Sequence, residues 1–167
     1  MLKRLSMFVL RSKVKIEEAG GRQQFAVWGG AQGKIFSVAA AEAGLSVQFE
    51  DGRRLVISDR APEGTRVDES RWALEEIRAG RPLITAATQD LFVPQMVNYE
   101  KLGALDFKKG CYPGQEVVAR AQYRGEVKRR MVRLPVPAGA ALAPGEAFEG
   151  GVVVDSAGGE LLAVMPV

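Results

Sequence analysis

Leu45-Ser46-Val47-Gln48-Phe49-Glu50-Asp51-Gly52-Arg53-Arg54-Leu55-Val56-Ile57 is the stretch that decides the fold class. Apolar and polar residues alternate up to Phe49, Asp51-Gly52 supplies a tight turn, and Leu55-Val56-Ile57 returns, which together read as a β-hairpin. Upstream, residues 31–43 are alanine-rich, with Ile35, Phe36, Val38 and Ala39 apolar, and predict a helix ending at Gly44. Phe25-Ala26-Val27-Trp28 reads as a strand, and Val14-Lys15-Ile16-Glu17 as another, joined by a turn at Ala19-Gly20-Gly21-Arg22. Leu2, Leu5, Phe8 and Val9 have the spacing of a short amphipathic helix. Helix, strands, helix and hairpin within the first sixty residues predict an α+β unit.

Beyond the hairpin, residues 59–67 are polar and turn-rich and mark a boundary. Asp68 or Ser70 then caps a helix carrying Trp72, Leu74, Ile77 and Arg78, stopped by Gly80 and Pro82. Residues 83–105 read as mixed loop and short helix, and Leu105-Asp106-Phe107 as a short strand. A further strand covers Arg130 to Leu134, and three prolines with four glycines mark a second boundary over residues 135–151. Val152-Val153-Val154 and Leu161-Leu162-Ala163-Val164 form two strands about Gly158-Gly159, and such a pair must pack on something else.

Composition limits the chemistry. The 167 residues are 47% hydrophobic and 26% charged, as expected of a globular chain. With no histidine, any general base is a carboxylate, lysine, thiolate or tyrosine, and histidine triads and histidine-ligated zinc are excluded. The single cysteine can neither close an internal disulfide nor complete a thiolate metal site, so no metal ligand set is expected. No apolar stretch approaches a membrane span and no signal-peptide cleavage site follows Met1, so a cytoplasmic protein is expected. Residues 101–133 hold nine Lys/Arg against three acids while the whole chain is +3, so the rest is net negative. That concentration favours an anionic partner, though a merely solvated basic face has the same composition.

The cysteine stands within this basic part, in Lys109-Gly110-Cys111-Tyr112-Pro113-Gly114-Gln115-Glu116, closed by Arg120. Pro113 suits the first position of a helix running to Tyr123, which would leave Cys111 just outside its positive end. The helix dipole and the Lys109 ammonium would then favour a thiolate, and the free N–H groups an anion. Gly110 and Gly114 would let a ligand approach the main chain. The bland alternatives are a buried small hydrophobe at Cys111, turn glycines, a core Tyr112 and a surface Glu116–Arg120 pair. Gly29-Gly30-Ala31-Gln32-Gly33-Lys34 suggests a phosphate loop but has Trp28 where glycine is needed and Ile35 where Ser or Thr is needed, so it is rejected. Trp28 and Trp72 read as core.

Lys-Gly-Cys-aromatic-x-Gly-Gln-Glu-x-x-x-Arg, from Lys109 to Arg120, resembles the signature of the YgfZ folate-binding proteins, relatives of the glycine-cleavage T-protein (aminomethyltransferase). Leu10 to Val14, Arg78 to Pro82, Pro94-Gln95-Met96 and Tyr123-Arg124-Gly125 are similar to stretches of the same family. The resemblance implies a T-protein-like multidomain α+β arrangement. Residues 1–60 would form a ferredoxin-like middle domain, 61–134 the C-terminal part of the first domain with the cysteine motif, and 135–167 part of a C-terminal β-barrel. It implies tetrahydrofolate as cofactor and a role in maturation or repair of iron–sulfur enzymes, including ones that modify tRNA, with those enzymes or their assembly proteins as partners. Cys111 and Lys109 would be the essential pair, and Gly110, Tyr112, Gly114, Gln115, Glu116 and Arg120 the folate-side residues. Against the family's length the chain reads as a fragment lacking the N-terminal part, whose exposed apolar surface would drive self-association. Two other functions stay open: a true one-carbon transferase, which would need a carboxylate near the folate nitrogen, and a basic tRNA-binding module built on Lys128, Arg129, Arg130 and Arg133.

Overall fold

The computed structural model describes residues 51–167 throughout and, before them, residues 3, 6, 7, 9, 13–18, 20–29, 34, 36–41 and 44–49. The chain divides into two compact units, Met1–Thr65 and Arg66–Val167. Each carries one four-stranded antiparallel sheet, so the α+β class and its two-sheet form are plain.

In the first unit the strands are β1 (Gln23–Trp28), β2 (Val38–Ala41), β3 (Gly44–Gln48) and β4 (Arg53–Ser58), in the order β1-β4-β3-β2. The expected hairpin is β3–β4, with Gln48 opposite Arg54 and Gly52 at φ +80° in the turn. A residue the sequence pattern would put on the surface locks it: Arg53 is 1% exposed, and its guanidinium donates to Asp51 at 2.6 and 3.0 Å. The same guanidinium lies 5.6 Å from the centre of the Phe49 ring. Gly44 admits no side chain, because a Cβ there would stand 1.9 Å from the Ile57 carbonyl oxygen.

Two expectations fail in this unit. The alanine-rich segment is not helical at Val38–Ala41, which instead pairs with β3 in the register Val38 to Val47. Cross-strand pairing outweighs the alanine preference for helix, a weak preference over so short a run. Residues 13–18 alternate but form no strand. The expected first helix rests on Leu2, Leu5 and Phe8, which lie outside the described residues, as do the first residues of the segment 31–43.

The second unit holds α1 (Ser70–Arg78), α2 (Gln115–Tyr123), β5 (Arg129–Pro135), β6 (Ala147–Phe148), β7 (Gly151–Ala157) and β8 (Glu160–Pro166). Its sheet runs β5-β8-β7-β6, so the expected terminal pair is flanked by β5 and does not stand alone. Gly158 and Gly159, at φ +58° and +81°, make the β7–β8 turn, which requires positive φ at both positions. One face of the sheet meets α1 and the turn-rich segment around Phe92–Tyr99. Ile77, Val97, Met131, Val154, Leu162 and Val164 close the core there, with Met96 and Tyr99 packed against it. Fully burying a side chain of this size contributes about 1.5–3 kcal/mol. The N-cap of α1 is Glu69 and not the expected Asp68 or Ser70, and Asp68 accepts a hydrogen bond from the Ser70 N–H at 2.8 Å. The hydrogen bonds from Ser70 hold the Asp68 carboxyl below the usual carboxylate range. Residues 83–105 are turns without a helix, and Leu105–Phe107 is not a strand.

Candidate functional site

The cysteine segment follows a turn closed by the Ala104 N–H on the Tyr99 carbonyl and leads into α2, which buries Val118. Cys111 is exposed, as are Lys109, Gly110, Pro113 and Gly114. The Lys109 ammonium lies 4.6 Å from the centre of the Tyr112 ring, a cation–π contact that holds lysine and tyrosine on either side of the thiol in the chain. Gln115 folds back on the segment: its Oε1 accepts from the Tyr112 N–H at 3.4 Å and its own N–H donates to the Tyr112 carbonyl at 3.2 Å.

The helix begins later than Pro113. Gly114, at φ +82°, occupies its N-cap in a left-handed conformation, so the first helical residue is Gln115. The positive end of α2 is therefore four positions beyond Cys111 in the chain, and Lys109 is the full positive charge close to the thiol in sequence. A Cβ at Gly110 or Gly114 would meet nothing within 4 Å, so the main chain there is open to a ligand. Glu116 and Arg120 point outward on α2, both exposed, and among the described residues they form no ion pair with each other.

Sequence reasoning missed what holds this segment in place. Gln95, 1% exposed, donates its Nε2 to the Val118 carbonyl of α2 at 2.7 Å. Its own carbonyl accepts from Arg130 Nη1 at 3.0 Å, and that guanidinium also reaches Asn98 Oδ1 and the Glu100 carboxylate. Asn98 Nδ2 donates to the Met131 carbonyl at 2.8 Å, while the Met131 N–H donates to Met96 at 2.7 Å. The turn over residues 95–100 thus ties α2 to β5. Among the expected basic residues, Arg130 is part of this tie and Arg133 pairs with Glu160, whereas Lys128 and Arg129 stay exposed. The one signal available was Pro94-Gln95-Met96 itself, whose polar member interrupts an apolar run.

A cavity of about 490 Å³ in the second unit lies elsewhere, lined by Val136, Leu142, Pro144, Ser156 and Gly158 among others, and by none of the motif residues. Among the described residues no helix is long and apolar enough to cross a membrane, and no cluster of three acidic or sulfur ligands could hold a metal.

Fold and segment define an α+β protein with two antiparallel sheets that presents one exposed thiol in a glycine-framed, basic loop. No family model matches the chain. It is 43% identical to the tRNA-modifying protein YgfZ of Escherichia fergusonii over 89 residues, 47% of this chain and 27% of the relative. With the YgfZ protein of Vibrio atlanticus it shares 38% over 108 residues, 60% of this chain and 32% of the relative. With that of Yersinia pestis it shares 40% over 116 residues, 68% of this chain and 34% of the relative. The chain belongs to the YgfZ family, and its matches span about a third of the length of these curated relatives.

Proposed function

We propose that this is a tetrahydrofolate-binding protein that assists maturation or repair of iron–sulfur enzymes, tRNA-modifying ones among them, with Cys111 as its essential thiol. The observation that carries the proposal is the complete motif from Lys109 to Arg120 with its sulfur at the surface, on a chain similar to proteins named tRNA-modifying protein YgfZ. Lys109 stands two positions before the thiol in the chain and gives the segment a positive charge. The donor set suits the anionic glutamate tail of folate: Lys109 and Arg120 are exposed cations, and Gly110 and Gly114 leave the main chain open. Tyr112, Gln115 and Glu116 complete the folate side of the site. A pterin ring needs a concave apolar wall, and no contact to it is assigned to these residues. When bound, tetrahydrofolate supplies a carrier for one-carbon units. Within this proposal residues 1–60, 61–134 and 135–167 correspond to the middle, first and barrel domains of the family, and the protein works in the cytoplasm.

Complementation in a strain lacking the corresponding gene tests the thiol, read as the activity of an iron–sulfur tRNA-modifying enzyme. The Cys111→Ala variant is expected to lose rescue while keeping the circular dichroism and melting curve of the parent. Full rescue by a folded Cys111→Ala protein would refute the role. Tryptophan fluorescence during a tetrahydrofolate titration tests the cofactor. Formaldehyde transfer to tetrahydrofolate by the same protein would instead favour the one-carbon transferase.

A further inference from the structure

In the second unit two groups of cationic side chains contrast. Arg78 and Arg133 share Glu160, Arg81 grips Glu76, and Arg130 reaches Glu100. Arg120, Arg124, Lys128 and Arg129 are all exposed, and among the described residues none of their side chains has an ion pair or hydrogen bond. Glu75, Glu76, Glu100 and Glu160 are engaged by the first group. Glu116 and Glu126 are the acids interspersed with the second, leaving it net positive.

Arg120 and Tyr123 stand at i and i+3 on α2 and so share one face, and Arg124 is the C-cap residue that follows directly at the same end. Tyr123 is 71% exposed, and its contact is an edge-to-face approach of Phe107 at 6.0 Å, which leaves ring area open to solvent. Lys128 and Arg129 follow directly, at the entry to β5. Cations at a helix C-terminus interact favourably with its dipole. That accounts for Arg120 and Arg124, but not for Lys128 and Arg129, nor for a tyrosine ring left 71% exposed at the same helix end.

We propose that this face, Arg120, Tyr123, Arg124, Lys128 and Arg129, binds single-stranded nucleic acid, the cations contacting phosphates and Tyr123 stacking on a base. A small anion would need a concave site, and the cavity of this unit is lined by none of these residues. Exposed, unpaired cations outside the cavity suit a polyanion, which gains by releasing condensed counterions. An exposed aromatic ring adds a platform that accepts any unstacked base. The surface shares Arg120 with the proposed folate site and includes neither Cys111 nor Lys109.

Fluorescence anisotropy with a labelled 20-nucleotide RNA of mixed sequence, at several salt concentrations, tests this on the full chain. Substituting Arg120 and Arg124 by Gln is expected to lower the slope of log affinity against log salt by about 1.4, and adding Lys128→Gln and Arg129→Gln by about 2.8 in all. Tyr123→Ala should weaken binding roughly 5- to 150-fold whatever the sequence, while Tyr123→Phe keeps it. All five positions are exposed, and unchanged melting curves exclude misfolding as the cause. The Cys111→Ala variant should bind RNA as the parent does, so a failure of the thiol proposal and a failure of this one are read separately. An unchanged salt slope in the fourfold variant, or parental affinity in Tyr123→Ala, would overturn the proposal. So would equal affinity for the same RNA as a duplex, equal competition by poly-L-glutamate, or loss of binding in Cys111→Ala.

Discussion

The two helices of the second unit are each nine residues long, yet they do opposite work. α1 lies on β7 and β8 with Ile77 fully buried. A Cβ at Gly158 would come within 2.9 Å of Leu74, which shows how closely this helix meets the β7–β8 turn. Its C-terminus is fastened by Arg78 to Glu160 at 2.8 Å and by the Glu76–Arg81 fork beyond it. α2 buries Val118 alone and leaves Val117 49% and Tyr123 71% exposed. Its ties to the rest of the unit are the hydrogen bond from Gln95 and the edge-to-face contact of Tyr123 with Phe107. A helix with so little apolar burial contributes little to the core. What it contributes is position, for the cysteine segment before it and the basic run after it.

The largest effect expected from this contrast is on global stability. Leu162→Ala, at a residue 1% exposed beneath α1, should cost about 2–5 kcal/mol in denaturant unfolding, because a cavity opens where the core is closed on all sides. Val117→Ala on α2 should fall within about 0.5 kcal/mol of the parent. Similar losses from the two substitutions would erase the distinction between the helices.

Gln95 gives a smaller and more local test. Its Nε2 is bonded to the Val118 carbonyl, while its buried Oε1 has no partner among the described residues. Replacement by Met removes the bond to α2 and the orphaned acceptor together, and such apolar isosteric exchange can be nearly neutral overall. Amide exchange should nevertheless quicken in α2, by roughly 2- to 12-fold for the loss of one net hydrogen bond. Exchange in β7 and β8 should not change. Uniform acceleration across the sheet would mean that Gln95 supports the core and not the helix.

The features legible in the sequence are those whose causes lie close together in the chain. Asp51-Gly52 and Gly158-Gly159 each specify a turn between two residues that already alternate or run apolar, and both hairpins follow. The cysteine motif was legible for the same reason, since it lies within twelve residues from Lys109 to Arg120. β2 was misread because its pairing with β3 decides its conformation, against the local preference of alanine. The start of α2 was misplaced by two residues because Gly114 takes a left-handed conformation that a turn or a helix could equally require of a glycine. The burial of Gln95 was not legible because its partner, the Val118 carbonyl, lies 23 residues away. The division of the arginines could not be seen at all: Arg78 meets its carboxylate 82 residues away, and until the fold is known Arg120 and Arg133 look alike.

The packing of α1 against β7 also carries an electrostatic cost that sharpens the contrast further. Burial pushes the Asp155 carboxyl up from the usual carboxylate range, the nearby Glu76 on α1 adds to the rise, and the N–H groups of Ser156 and Leu83 offset part of it. Ionisation of Asp155 is therefore harder in the folded chain than in the unfolded one. The stability tied to its neutral form is fully present below the unfolded value, near 3.8, and is lost as pH rises through the higher folded value. Asp155→Asn keeps an acceptor for the Ser156 N–H at 2.9 Å and never ionises. The variant should melt above the parent at pH 7, and the gap should close as the pH is lowered towards 3. A gap that stays constant across that range would show that the substitution acts through packing at β7. A gap that reverses at pH 7, with the parent the more stable, would show that the ionised Asp155 is held by its two N–H donors more strongly than burial and Glu76 oppose it.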